Sequence, residues 1–187
     1  MIEGKRLRLR SFELSDLNEI MKHWNSMELR NLVGAADMGP VSRNDEEEFI
    51  KRTWKQRQEK KAFTLAIETI ADGKPIGGVS LMNINWTSRS TMLGISIYDP
   101  ENRGKGYGQE SMKLCLDFAF RNLNLNRVEL ETFDFNERAK NCYLKVGFKE
   151  VGTKRKARFI NGQYHDVIIM DILRNEWLAK SEGRETG

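Results

Sequence analysis

The sequence predicts a single mixed α/β domain on a largely antiparallel sheet with one parallel crossover. Three observations carry this. Apolar residues recur at strand spacing in some stretches and at helical spacing in others. Three strand-like runs joined by short turns occupy residues 63–98, as in an antiparallel meander. A glycine-rich loop then opens a helix that leads to a further strand, the pattern of a parallel crossover.

The elements follow in order. Lys5 to Arg10 alternates charge with Leu7 and Leu9, a half-buried strand. Ser15 reads as the cap of a helix in which Leu17, Ile20, Met21 and Trp24 recur at helical spacing. Leu32 to Pro40 is Gly/Ala-rich and irregular. Ser42 or Asn44 caps a second helix, whose acidic run Asp45 to Glu48 complements the helix dipole and whose apolar face holds Phe49, Ile50 and Trp54. The meander comprises Phe63 to Thr69, Ile76 to Asn85 and Met92 to Tyr98, with turns at Ala71-Asp72-Gly73 and between Asn85 and Ser90. A helix carries Met112, Leu114, Cys115, Leu116, Phe118, Ala119 and Phe120. A strand follows at Arg127 to Phe133, then a short helix from Glu137 to Val146. Phe148 to Phe159 and Tyr164 to Leu173 form a hairpin around Asn161-Gly162. The expected organisation is one domain over residues 1–178 and a polar, frayed tail over 179–187.

Composition narrows the function classes. A chain of 187 residues has room for one full core, and 39% hydrophobic with 31% charged residues is ordinary for a globular protein. It holds neither an apolar run long enough to span a membrane nor a signal-peptide core, so a cytoplasmic protein without membrane partners is expected. Cys115 and Cys142 form no CxxC pair, and His23 and His165 stand apart, so no metal site is expected. The net charge of +4 is spread along the chain, which argues against a nucleic-acid partner. The densest cluster, Lys154 to Arg158, reads as a solvated strand face or as an attractor of an anionic group such as a coenzyme phosphate or RNA.

The loop Arg103-Gly104-Lys105-Gly106-Tyr107-Gly108 is the first chemical signal. Its glycines admit backbone conformations closed to other residues and uncover successive N–H groups at a helix start, a nest for a phosphate or pyrophosphate. It is not a Walker A loop, because Lys105 is not followed by Ser or Thr. Nor does it match the dinucleotide fingerprint: it reads G-x-G-x-G, and a meander precedes it instead of a βαβ array. The second signal runs from Asn136 to Phe148. Asn136 caps a helix, Tyr143 follows two turns later near the same face, and Gly147 ends it.

Together these segments, a strand, R-x-x-G-x-G, a helix, a strand and N-x-x-A-x-x-x-Y-x-x-x-G-F, resemble the GNAT superfamily of acetyltransferases from Leu7 to Leu173. The ending Arg158-Phe159-Ile160-Asn161-Gly162-Gln163-Tyr164-His165-Asp166-Val167 is similar to the branch of ribosomal-protein alanine and spermidine N-acetyltransferases. The resemblance implies a GNAT fold whose sheet splays between Met92–Tyr98 and Arg127–Phe133. It implies acetyl-coenzyme A as cosubstrate, its pantetheine arm against the backbone of Ser96, Ile97 and Tyr98. Its pyrophosphate would lie on the amides of Gly104, Lys105, Gly106, Tyr107 and Gly108, with Arg103 leading the loop. Asn136 is implied to reach the pantetheine, and Tyr143 to face the sulfur as the catalytic acid. A backbone N–H such as that of Ile97 suits the oxyanion. A phenol of reference pKa ~10 suits a departing thiolate of ~8.5.

The base departs from the family pattern, since Thr91 to Ile97 contains no carboxylate. Glu129, Glu131, Ser96 through water and bulk solvent remain open. The expected acceptor is a protein or peptide N-terminus or a small amine. Spermidine is the alternative, since residues 34–40 hold one acid where a polyamine needs several. A non-catalytic coenzyme-binding module is the other alternative, opposed by the intact loop and Tyr143. A homodimer is compatible with the resemblance.

Overall fold

The computed structural model describes residues 1–182; the expected tail beyond residue 182 lies outside the described residues. Eight strands form one sheet: β1 (Ile2–Glu3), β2 (Leu7–Ser11), β3 (Phe63–Thr69), β4 (Pro75–Asn85), β5 (Ser90–Ile97), β6 (Arg127–Phe133), β7 (Lys149–Ile160) and β8 (Gln163–Leu173). Their order is β1-β2-β3-β4-β5-β6-β8-β7. Only β5 and β6 pair in parallel; the others are antiparallel, as the meander and the hairpin turn require.

Helices cover both faces. Helices α1 (Leu17–Trp24), α2 (Met27–Val33) and α3 (Arg43–Gln58) come first in the chain. Their face buries Phe12, Leu17, Ile20, Leu29, Ile50 and Tyr98. Helices α4 (Tyr107–Asp117), α5 (Glu137–Val146) and α6 (Arg174–Glu182) serve the other face. There Leu7, Leu9, Val79 and Leu93 from the strands meet Met112, Leu116, Phe120, Val146 and Trp177. Two-residue alternation in β2 and β6 and helical spacing in α4 aim these side chains inward. Among the described residues no helix is long and apolar enough to cross a membrane.

Several local expectations change. Ser15 lies inside a short 3-10 turn, and the turn is capped by Glu13 with Asp16 instead; Asp16 also pairs with Arg10 at 2.8 Å. Ser42, not Asn44, caps α3: its Oγ accepts from the Asp45 N–H, while Asp45 accepts from the Ser42 N–H at 2.8 Å. Helix α2 takes in Leu32 and Val33, the start of the segment expected to be irregular, and Arg30, 2% exposed, closes it by donating from Nη2 to the Ala35 carbonyl at 2.8 Å. The chain after Trp177 continues as helix to Glu182, anchored where the Trp177 indole donates to Asp117 at 2.8 Å.

The sheet opens at one place. β5 and β6 pair only at Ser90–Met92 with Arg127–Glu129. Beyond Met92, β5 stays with β4 through Ile97, opposite Gly77. β6 does not follow it and stays with β8, to which it pairs along its whole length from Arg127 to Phe133. Gly77 makes the close approach possible: a Cβ there would lie 2.2 Å from the Ser96 carbonyl oxygen. With no side chain at Gly77, β5 leans onto β4 and leaves a wedge-shaped gap toward β6.

Candidate active site at the splayed strands

Two cavities flank this gap. The first, about 410 Å³, lies at the N-terminus of α4 and includes Gly104, Gly106, Gly108, Met112 and Cys142 in its wall. The second, about 390 Å³, lies under α1 and α3 and includes Trp24, Glu46, Phe49, Met92, Tyr98 and Glu131. Leu32, Val33, Ile95, Ser96, Asn136 and Tyr143 line both, so the cavities meet across the open strands.

The first cavity opens on the start of a helix. Gly106 caps α4 with φ 84°, and the first helical bond is Glu110 N–H to its carbonyl at 3.1 Å. The N–H groups of Tyr107, Gly108 and Gln109 therefore have no partner inside the helix and stand at its positive end. Arg6 braces the loop from behind: its Nη1 donates to the Lys105 carbonyl at 3.0 Å, its Nε to Glu110 at 2.8 Å, and its guanidinium lies 4.9 Å from the Tyr107 ring centroid.

The ladder parity decides which backbone groups of β5 face the gap. The Tyr98 N–H donates to the Ile76 carbonyl at 2.9 Å, and Ser96 lies opposite Gly78 in the same parity. Tyr98 and Ser96 thus aim their amides at β4, while Ile95 and Ile97 aim theirs at the gap. Of the three backbone positions expected to meet the pantetheine, Ile97 is the one so oriented. The Tyr98 side chain goes to the second cavity, where its ring meets Trp24 edge-on at 5.7 Å.

The helix α5 sets the other side. Asn136 Oδ1 accepts from the Ala139 N–H at 3.2 Å, which caps the helix. Its Nδ2 takes no partner among the described residues. Two turns on, Tyr143 is 9% exposed and packs edge-on to Phe148 at 6.2 Å. Burial, and next to it the neighbouring Cys142, pushes its phenol well above the usual range.

The structure therefore brings Ser96, Ile97, Arg103, Gly104, Gly106, Gly108, Asn136 and Tyr143 to one cavity. Lys105, Tyr107 and Tyr98 do not line it. Arg103 turns its side chain back under β5, donating to the Ile97 and Tyr98 carbonyls, each at 3.1 Å. Of the candidate bases, Glu129 lines neither cavity and pairs with Arg127 at 2.6 Å; Glu131 lines the second and pairs with Lys154. Cys115 is buried in the core, its thiol pushed up to about 12, and lines neither. Among the described residues no group of His, Cys, Asp and Glu could hold a metal ion.

Glu46 is the residue that sequence reasoning missed. It is 5% exposed, lines the second cavity, and takes no hydrogen bond or ion pair at its carboxylate among the described residues. Burial raises its pKa, and Asp45 adds to this, against the lowering influence of Arg52 and Arg30. Its signal was present: Glu46 precedes Phe49 and Ile50 by three and four residues, which puts a carboxylate on the apolar face of α3.

Comparison with known proteins agrees with this construction. Spermidine N(1)-acetyltransferase of Vibrio cholerae is 34% identical over 180 residues, covering 96% of this chain and 99% of that one. A putative ribosomal N-acetyltransferase of Bacillus subtilis is 30% identical over 138 residues, 74% of each chain. The crystal structure of the Vibrio cholerae spermidine N-acetyltransferase in complex with CoA and spermine superposes with a TM-score of 0.82 at 30% identity, over 94% of this chain and 99% of that one. The family model described as acetyltransferase (GNAT) domain matches residues 6–149, and the chain belongs to that family of acetyltransferases.

Proposed function

We propose that the protein is a cytoplasmic N-acetyltransferase that moves an acetyl group from acetyl-coenzyme A directly to the primary amine of a small cationic molecule. The observation that carries this reading is the junction of the two cavities at Ser96, Asn136 and Tyr143. A donor and an acceptor entering from opposite sides meet there in one step, which removes the need for a nucleophilic cysteine.

The donor side fits the coenzyme. The uncovered amides at the start of α4 match a diphosphate, and the open edge of β5 offers backbone groups to an amide-bearing arm. When bound, acetyl-coenzyme A supplies the thioester carbonyl that a neutral amine attacks. The Ile97 N–H faces the gap as a donor for oxygen charge developing there. Asn136 Nδ2 is free to orient the arm. Tyr143 lines the junction and, in this reading, gives its proton to the departing sulfur.

The acceptor side favours a cation. Glu46 presents a carboxylate without a protein partner, and Trp24, Phe49 and Tyr98 present rings that attract ammonium groups. Glu131 is offset by Lys154, and Arg158 also lines this cavity, so the load of positive charge it can accept is limited. This supports a small amine with one or two further cationic centres. Spermidine, named for the Vibrio cholerae relative, is such a molecule in kind. A peptide N-terminus is the second reading, favoured by the similarity to the putative ribosomal N-acetyltransferase.

The test is thiol release from acetyl-coenzyme A with diamines, polyamines, simple alkylamines and short peptides as acceptors. Highest kcat/KM for a diamine or polyamine is the expected result. Highest kcat/KM for a peptide would move the assignment to the second reading.

A further inference from the structure

Arg103 opens the glycine-rich loop, yet its side chain, 8% exposed, spends its donors on protein partners outside the loop. Its Nε donates to the Ile97 carbonyl and its Nη2 to the Tyr98 carbonyl, each at 3.1 Å, while Nη1 pairs with Glu28 on α2. A guanidinium is a rigid planar fork with a permanent charge, so three such contacts fix what they touch. They fix the two peptide planes that follow Ile97, at the exit of β5, where the strand has left β6 and no ladder partner holds it on that side. The same side chain docks α2, whose Leu32 and Val33 line both cavities.

We propose that Arg103 is a positioning residue: it holds the Ile97 and Tyr98 carbonyls so that the end of β5 keeps the Ile97 N–H aimed into the gap toward β6, on the first-cavity side, and its side chain does not serve as the diphosphate ligand. The inference rests on the reading of the junction as the acetyl-transfer site. Without the clamp, the Ile97 carbonyl loses its donor and the end of β5 is free to rotate. The cost falls on the alignment of an oxyanion donor, which is a turnover effect more than a binding effect.

Two donors separate this from a diphosphate role. Acetyl-coenzyme A carries both thioester and diphosphate; S-acetyl-N-acetylcysteamine carries the thioester alone. Arg103→Ala and Arg103→Lys are compared with the parent protein in melting temperature, in kcat/KM with each donor and in calorimetric affinity for CoA. We expect both variants to lose about tenfold or more in kcat/KM with both donors alike, with CoA affinity changed by less than about threefold. Lysine keeps the charge but cannot make the fork, so it is not expected to rescue. A loss confined to acetyl-coenzyme A, with CoA affinity falling in step and lysine restoring it, overturns the proposal. So does unaltered turnover in both variants. Glu28→Gln, which leaves Arg103 in place, covers the case in which both Arg103 variants fail to fold: it should lower kcat/KM with both donors by the same factor, and a loss with acetyl-coenzyme A only contradicts the clamp. Amide exchange at Tyr98 gives a readout without turnover. Its bond to Ile76 should open about tenfold more often in Arg103→Lys, and unchanged protection also counts against the clamp. If the parent protein transfers acetyl from neither donor, the proposed function fails, and the exchange measurement still decides the role of Arg103.

Discussion

Burial, and next to it Cys142, raises the Tyr143 phenol above its ordinary range, which favours the protonated form. Tyr143→Phe keeps the ring against Phe148 and removes the hydroxyl alone. We expect kcat to fall on the order of 10²–10⁴-fold with little change in CoA affinity or melting temperature. A variant that melts early but keeps its turnover would make Tyr143 a packing residue. Glu46 offers a second test with a definite sign. Its pKa is raised in the folded protein by burial, so between the unfolded value and the folded one the native state binds the extra proton. Stability from this group is present at low pH and is lost as pH rises through the folded value. Glu46→Gln should therefore raise the melting temperature at neutral pH, the gain shrinking as pH falls through the raised folded value and vanishing below the ordinary carboxylate range. The same substitution should raise KM for a cationic acceptor roughly tenfold or more. Melting curves against pH beside acceptor kinetics check both, and a lower melting temperature at neutral pH would contradict the burial of an unpaired charge. At this scale the sequence was readable where spacing dictates the outcome, as for Asn136 and Tyr143 on α5. It was not readable where a long side chain chooses among directions: nothing in the loop sequence says that Arg103 turns back under β5.

Among the elements, the meander, β6 and α5 follow from patterns that leave few alternatives, such as strict alternation in Arg127–Phe133 and a capped helix ended by Gly147. Elements that depend on distant partners were not legible. β1 is two residues long and exists by pairing with β2. Helix α2 is seven residues and is closed by Arg30 on Ala35. Helix α6 is held by the Trp177 contact with Asp117, sixty residues away. Beside the splay, the close approach of β4 to β5 depends on a single residue. Gly77→Ala would push a methyl into the Ser96 carbonyl, forcing β4 and β5 apart. We expect a stability loss of about 1–3 kcal/mol, as for overpacked sites, together with weakened CoA binding because β5 moves into the gap. Denaturant melts and calorimetry read the two effects; unchanged stability with unchanged CoA affinity would show that the strands do not need that close approach.

Across the whole molecule, the two helix layers enclose one cavity each, and the open strands join them. Under the proposed function, that arrangement holds donor and acceptor on the enzyme together. It assigns no group to carry the acetyl between two separate steps: Cys115 is sealed in the core, and burial keeps the Cys142 thiol protonated, its pKa raised despite the nearby Lys145, Arg138 and Lys113. Two-substrate initial-velocity kinetics, with acetyl-coenzyme A varied at several fixed concentrations of the best amine, tests this most directly. The double-reciprocal lines should intersect, as a ternary complex with direct transfer requires. Parallel lines would mean that the acetyl group first moves to the enzyme, and the junction at Ser96, Asn136 and Tyr143 would not be the place where donor and acceptor meet.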